Sequence, residues 1–235
     1  MRKIPIFDIS NKEKIVLHVF EWEEGIVHQD NFEKYEREIC SFVGCDQSRH
    51  LEISRQSSYI FGKKVRTASL SFKMGKQRIN SESAYQGSKV LEKEGNQHHL
   101  YDVDGETSLR TKSGFKRKEI IGVDFFGHQF EKSSLSDLHH IVYWLGLENS
   151  KVDIKKSLEI LERNEMFFFT DCYNGIDKNS QSQSFAVYFW RWRRGESVWD
   201  FLTENQKEMR EIVKNNKYKK TKMIVRGKVQ SEALF

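Results

Sequence analysis

The period of the hydrophobic pattern changes part-way along the chain, and this change restricts the fold more than any other feature. Apolar and polar residues alternate from Lys14 to Trp22, in a run predicted to end at Gly25, and again from Val65 to Met74. Alternation of this kind predicts strands that bury one face. Residues 50–54 form a third, shorter extended stretch. The first third of the chain is therefore predicted to be sheet-like.

Helical spacing dominates after Asn80. Apolar residues recur at intervals of three and four within residues 135–147, 154–164 and 181–194, which is the pattern of helices that bury one face. A further helix is predicted to begin at Asn80 or Ser81, because either side chain can cap it, and to end by Gly95. The predicted fold is a helix-rich α+β domain with a small N-terminal β-sheet.

The composition predicts one domain followed by a tail. The chain has 235 residues, 37% of them hydrophobic, and a single proline near its start, so no linker divides it. We expect a domain of residues 1–205 and a basic tail of residues 206–235. Cations outnumber acids between Lys207 and Lys228, so this segment attracts phosphate by screened electrostatics. A solvated, partly ordered tail is the alternative prediction.

The sequence favours a cytoplasmic protein without a membrane, a metal or a cofactor. No apolar run reaches the length of a signal peptide core or a membrane span. The three cysteines lack the spacing of a zinc site. The pairs His98-His99 and His139-His140 are adjacent, so their rings point apart, and they lack a carboxylate at ligand spacing.

Candidate catalytic groups lie in the segment SESAYQGSKVLE, residues 81–92. Glu82, Gln86 and Lys89 are four and three residues apart, so a continuous helix would place all three on one face. An acid and an amine there can converge on a ligand that lies across the face, and Gly87 leaves room for a flat or sugar-sized group. An ordinary surface helix with one acid and one base fits the same spacing.

The same segment resembles the motif that opens the NADAR domain, especially in the branch that serves as antitoxin to DarT-type DNA ADP-ribosyltransferase toxins. Further segments resemble that family in the same order, and together they cover about residues 15–202; they are Phe20-Glu21-Trp22, Leu51-Glu52-Ile53-Ser54, Leu100-Tyr101-Asp102, Phe169-Thr170-Asp171 with Asn174, and Asn179 with Gln181 and Ser184. The chain is thereby identified as a divergent member of the NADAR family.

The resemblance implies a NADAR-type single domain that hydrolyses the N-glycosidic bond between ADP-ribose and the exocyclic amino group of guanine. It implies that Glu82 is the acid/base, because an oxocarbenium-like transition state needs an anion and the leaving amine needs a proton. Asp171 would hold the ribose diol. Lys89 would act either as a fixed cation or as an amine that attacks C1'' and forms a Schiff base.

The resemblance also implies a substrate-binding set and a group of partners. The predicted substrate-binding residues are Trp22, Ser81, Gln86, Asn179 and Gln181, although an aromatic residue such as Trp22 at a strand end is a core residue about as often. The expected partners are ADP-ribosylated DNA, the product ADP-ribose and a DarT-type toxin.

Three functions from different classes fit the sequence. The first is removal of ADP-ribose from guanine in DNA, either as the antitoxin of a DarT-type toxin or as a phage counter-defence. The second is a catalytically weak ADP-ribose- or toxin-binding module, because Ser180 and Gln183 stand where the family has cysteine and arginine. The third is an N-glycosidase of a small riboflavin-pathway metabolite.

Overall fold

The computed structural model describes residues 1–23, 27–115, 118–173 and 180–217. These residues fall into two compact units, each assembled from separate segments of the chain. Unit 1 comprises Met1–Ser69 and Ser150–Leu202, and unit 2 comprises Leu70–Asn149 and the described residues from Thr203 onward. Both units combine helices with strands, so the predicted α+β class is confirmed.

The strands are short. In chain order they are β1 (Arg2–Asp8), β2 (Val16–Trp22), β3 (His50–Glu52), β4 (Ser71–Met74), β5 (Gln77–Asn80), β6 (Lys89–Leu91), β7 (Gly95–Asn96), β8 (Ile120–Phe125), β9 (His128–Glu131) and β10 (Phe168–Thr170).

The helices alternate with these strands along the chain. In chain order they are α1 (Phe32–Val43), α2 (Ile60–Lys64), α3 (Ser81–Gly87), α4 (Gly105–Phe115), α5 (Leu135–Glu148), α6 (Ile154–Arg163), α7 (Gln181–Arg193) and α8 (Glu204–Lys214).

Unit 1 is built on a four-stranded sheet in the order β2-β1-β10-β3. The strand β10 pairs antiparallel with β1 and parallel with β3, although about 115 residues separate it from β3 along the chain. Phe185 and Phe189 of α7 pack against Phe169 of β10, with ring centroids 5.2 and 6.0 Å apart. The N-terminal strands therefore form a sheet as predicted, and a distant strand completes it.

Unit 2 contains the β4–β5 hairpin, a four-stranded sheet in the order β7-β6-β8-β9, and the helix α5. Nine of the fourteen residues of α5 are buried, which explains its long apolar sequence. A side chain on Gly146 of α5 would place its Cβ 2.3 Å from Oγ of Ser81 and 2.8 Å from Cβ of Leu70. Glycine therefore allows α5 to pack closely against the start of α3.

Several sequence predictions need correction. Residues 65–74 were expected to form one strand, but only Ser71–Met74 is extended, and a 3-10 turn occupies Thr67–Ser69. The tail was expected to begin at residue 206, but this position lies inside α8, which buries Met209, Ile212 and Val213. Intervals of three and four residues give α8 an apolar face, so its residues are not a solvated tail. A tail within residues 218–235 stays a prediction, because these residues lie outside the described part of the chain.

Three of the predicted helices are confirmed at nearly the predicted bounds, namely α5, α6 and α7. Within the described ranges, no helix has both the length and the apolar character that crossing a membrane requires.

Candidate functional site

The helix α3 begins at the end of the β4–β5 hairpin, and Asn80 sets its start. The Asn80 side chain accepts hydrogen bonds from the backbone N–H groups of Glu82 and Ser83, at 2.9 and 3.3 Å. These two groups would otherwise lack partners in the first turn of the helix. The cap thus fixes the backbone from which Glu82 projects.

Glu82, Gln86 and Lys89 form a buried chain of hydrogen bonds in unit 2. Nζ of Lys89 donates to Oε1 of Gln86 at 2.6 Å, and Nε2 of Gln86 donates to Oε1 of Glu82 at 2.7 Å. Glu82 and Lys89 are each 5% exposed and Gln86 is fully buried. The structure therefore brings together the acid, the amide and the amine that the sequence singled out.

Lys89 reaches this cluster from a strand, so the prediction of one continuous helical face is wrong. The helix α3 ends at Gly87, and Lys89 opens β6, whose residues pair with β8. Partners in β8 satisfy the backbone of residues 89–91, which overrides the helical periodicity of this segment. The turn at Gly87 and Ser88 directs the amine back toward Gln86.

An aromatic ring lies beneath the amine. Nζ of Lys89 is 4.4 Å from the ring centroid of Tyr85, within the range of a cation–π interaction. The Tyr85 ring makes an edge contact with the buried ring of His139, at 5.1 Å between centroids. Tyr85 and Gln86 thus contact the amine from two neighbouring positions of α3.

Gly87 was expected to leave space for a ligand, and this expectation is wrong. A Cβ atom at Gly87 would lie 2.6 Å from two ring atoms of Tyr101. The hydroxyl of Tyr101 donates to the backbone oxygen of Asp124 at 2.9 Å and lies 3.0 Å from Oγ of Ser88. Gly87 therefore admits the Tyr101 ring, which holds the end of α3 against the turn after β8.

The arrangement of the Glu82, Gln86 and Lys89 side chains suits acid–base chemistry, because it fixes the positions of an acid and an amine. Gln86 is neutral, and it presents its carbonyl to the amine of Lys89 and its N–H to an oxygen of Glu82, so each group has a partner of matching polarity. Because the cluster is buried, solvent screens these interactions weakly. Glu82 and Lys89 are thereby held in one geometry through the amide of Gln86.

A family model described as the DarT1-associated NADAR antitoxin matches residues 4–223 of the chain. The match includes α3, β6 and the whole Glu82–Gln86–Lys89 cluster. The chain belongs to this family. No curated protein sequence matches the chain. The NADAR assignment made from the sequence is thus confirmed.

Three of the predicted substrate-binding residues of this NADAR protein lie outside the Glu82–Gln86–Lys89 cluster. Ser81 belongs to unit 2, and its buried Oγ has no hydrogen-bond partner among the described residues. Trp22 is 1% exposed in the core of unit 1, where its ring meets that of Tyr35 edge-on at 5.6 Å. Asn179 lies outside the described residues. The substrate-binding roles of all three stay predictions.

Asp171 and Gln181 also belong to unit 1. Asp171 directly follows β10 and is fully buried, and its Oδ1 accepts from the backbone N–H of Tyr173 at 3.0 Å. Oε1 of Gln181 accepts from the N–H and the hydroxyl of Thr67, and its Nε2 donates to the backbone oxygen of Ile53. Both ends of the Gln181 amide are therefore occupied by protein, and its predicted contact with substrate is untested.

Glu52 is a buried acid that the sequence analysis did not single out. It is fully buried at the end of β3, where it accepts from the Tyr35 hydroxyl at 3.2 Å, the Thr170 hydroxyl at 2.5 Å and the Cys172 N–H at 2.8 Å. Two of these donors flank Asp171 in the sequence. Glu52 therefore holds the Thr170 side chain on one side of Asp171 and the Cys172 backbone on the other.

His50 extends this network on the far side of Thr170. Because the Thr170 hydroxyl donates to Glu52, it accepts from Nε2 of His50, at 2.7 Å. Burial lowers the pKa of His50 to about 4, so the ring is neutral at physiological pH. Nδ1 faces Oε1 of Glu36 at 3.8 Å, and burial raises the pKa of Glu36.

A polar cleft of about 340 Å³ adjoins this end of the network in unit 1. Its lining includes Glu36 and Ser58, whose hydroxyl donates to Glu36 at 2.7 Å, together with Glu33, Arg37, Gln47 and Tyr59. Across the described residues, no group of three or more His, Cys, Asp or Glu side chains is arranged to hold a metal ion.

Proposed function

We propose that this chain is an N-glycosidase that removes ADP-ribose from the amino group of guanine in DNA and thereby counteracts a DarT-type toxin, as its antitoxin or as a phage counter-defence. The observation that carries the proposal is the buried Glu82–Gln86–Lys89 cluster in a chain that belongs to the DarT1-associated NADAR antitoxin family. The family supplies the class of substrate, and the cluster supplies groups suited to the reaction.

The reaction needs a proton and a water molecule. As the bond between C1'' and the guanine nitrogen breaks, the ribose develops oxocarbenium character and the departing amine must gain a proton. Glu82 gives that proton and then accepts one from the water that attacks C1''. The products are ADP-ribose and unmodified guanine, and Glu82 returns to its starting protonation state.

Gln86 has a positioning role in this scheme. Its N–H group donates to one oxygen of Glu82, which leaves the other oxygen for the leaving group or the water. Its carbonyl holds the amine of Lys89. Because a group misplaced by about 1 Å can cost 100-fold in rate, a rigid amide between the acid and the amine supports catalysis.

Lys89 has two roles to distinguish. As an ammonium it stabilises negative charge on the diphosphate or on the oxygen of the opened ribose ring, and it lies over the Tyr85 ring and against the Gln86 carbonyl. As a neutral amine it attacks C1'', expels the guanine amine and opens the ribose to a Schiff base, which water then hydrolyses to release ADP-ribose. Borohydride added during turnover reduces a Schiff base, so a stable adduct on Lys89 supports the second role and its absence supports the first.

The experiment that tests the activity follows both products. The wild-type protein is incubated with an oligonucleotide that carries ADP-ribose on one guanine, and the mixture is analysed by mass spectrometry. We expect the oligonucleotide to return to its unmodified mass while ADP-ribose appears in equal amount. A modified oligonucleotide that binds the protein but keeps its mass would contradict the proposal and favour a binding module.

A further inference from the structure

Positive charge is concentrated in the part of the chain that leads into α3. Between Glu52 and Glu82 there is no acidic residue, and this segment contains seven lysines and arginines. Three of these cations belong to unit 2, where they lie on the β4–β5 hairpin; they are Lys73, Lys76 and Arg78. All three are exposed.

The hairpin places two of these cations side by side. Lys73 and Arg78 are directly opposite each other in the antiparallel pairing of β4 with β5. Cross-strand neighbours share one face of a hairpin, and two like charges in such a pair destabilise it. The other face carries Phe72 and Ile79, which are buried. The exposed face thus keeps an unfavourable pair of charges that an anion would relieve.

Acidic side chains do not neutralise this face. Within the described part of unit 2, none of the three hairpin cations forms an ion pair, and Arg78 donates only to the neutral Ser71 hydroxyl and the backbone oxygen of Asn149. The side chains of Lys73 and Lys76 have no hydrogen-bond partner among the described residues. A surface charge without a protein partner is available to a ligand.

The C-terminal end of α8 adjoins the hairpin turn. A Cβ atom on Gly75, in that turn, would lie 2.6 Å from the side chain of Asn216. The next residue, Lys217, is exposed, and its backbone oxygen accepts from Nε2 of His128 at 2.8 Å. Lys217 therefore directly follows the residue that contacts the hairpin turn, and we call Lys73, Lys76, Arg78 and Lys217 the hairpin surface.

We infer that the hairpin surface binds the phosphate backbone of DNA. Unpaired cations on a rigid element suit a polyanion, because each phosphate contact releases condensed counterions. A membrane surface is disfavoured, because the hairpin exposes no large apolar side chain to enter the lipid and its apolar residues are buried. The inference rests on the proposed function for the identity of the DNA, and it assigns the surface that holds the strand rather than the groups that cut the bond.

The test compares two variants with the same loss of charge. Lys73→Gln/Lys76→Gln/Arg78→Gln removes the hairpin cations, and Lys151→Gln/Lys155→Gln/Lys156→Gln removes three exposed lysines in and beside α6. Binding of an unmodified fluorescent DNA duplex is measured by anisotropy between 50 and 200 mM salt. The loss of three phosphate contacts lowers the slope of log affinity against log salt concentration by up to about 2.7. The fold-change in affinity between 50 and 200 mM salt should therefore be smaller for the hairpin variant than for the wild type, by a factor of up to about 40.

We expect this loss only in the hairpin variant. Wild-type binding by the hairpin variant, or equal weakening in both variants, would overturn the inference. Loss of binding to phosphatidylserine vesicles with DNA binding intact would overturn it in favour of a membrane.

A second readout separates this surface from the proposed chemistry. ADP-ribosylated guanosine is too small to span the hairpin surface, so the hairpin variant should release ADP-ribose from it at the wild-type rate. With the modified oligonucleotide the same variant should show a raised KM and an unchanged kcat. If the wild type releases ADP-ribose from neither substrate, the proposed function fails, whereas the binding measurement still decides the role of the surface.

Discussion

Replacing His50 with glutamine should remove part of the acid sensitivity of the protein. His50 is 1% exposed, and burial lowers its pKa to about 4, whereas a free histidine titrates near 6.5. The unfolded chain therefore binds the proton first as the pH falls. His50 imposes no penalty above about pH 6.5, and its penalty on the folded state grows as the pH drops from there toward 4.

The size of the effect follows from the two pKa values. The full difference is worth roughly 3 kcal/mol, and about 2 kcal/mol of stability is lost by pH 5. Glutamine avoids this loss because it does not ionise. It also keeps an N–H group that can donate to Thr170, as Nε2 of His50 does at 2.7 Å.

Urea denaturation at pH 7 and pH 5 measures this difference. Between the two pH values the wild type should lose about 2 kcal/mol more unfolding free energy than His50→Gln. His99→Gln is the control, because it makes the same chemical change at an exposed position. An equal pH dependence of the unfolding free energy in the wild type and His50→Gln would refute the reasoning. The reasoning would also be refuted if His99→Gln reduced this pH dependence as much as His50→Gln does.

Two substitutions in α3 and one C-terminal deletion give further tests. Gln86→Leu should lower the unfolding free energy by about 3 kcal/mol and slow ADP-ribose release about 100-fold, because it leaves Glu82 and Lys89 without the amide between them; urea denaturation and the release assay measure both. Gly87→Ala should cost about 1–3 kcal/mol in the same denaturation, because its Cβ would overlap the Tyr101 ring, and unchanged stability would contradict that packing. Deletion of residues 218–235 should weaken DNA binding at low salt, because this segment carries five lysines and arginines and one acid; wild-type affinity at 50 mM salt would contradict the prediction.

The helices of the fold could be predicted where a long segment buries an apolar face. The segments that became α5, α6 and α7 are ten or more residues long, so their periodicity is unambiguous. The helix α1 was missed, although Phe32, Tyr35 and Ile39 have the three- and four-residue spacing that would have revealed it. Short elements were the least predictable, because strands such as β6 depend on partners far along the chain.

The sequence predicted the site only in part, because local spacing shows which neighbouring residues share a helix face but not which distant residues meet. Glu82 and Gln86 are neighbours on one helix, so local spacing was enough to group them. Lys89 joined them through a turn that periodicity alone does not reveal. The hydrogen bonds of Glu52 connect it with Thr170 and Cys172, which are about 120 residues away in the sequence. No local pattern in a single sequence predicts such a contact.

The most direct measurement compares ADP-ribose release by the wild type and two matched pairs of variants. Glu82→Gln and Lys89→Ala remove the proposed catalytic groups, whereas Glu92→Gln and Lys93→Ala make the same chemical changes at exposed positions just beyond them. With a guanine-ADP-ribosylated oligonucleotide, we predict release by the wild type and both exposed-site variants, and none above background by Glu82→Gln or Lys89→Ala. Release at the wild-type rate by Glu82→Gln and Lys89→Ala would contradict the assignment of the chemistry to the Glu82–Gln86–Lys89 cluster.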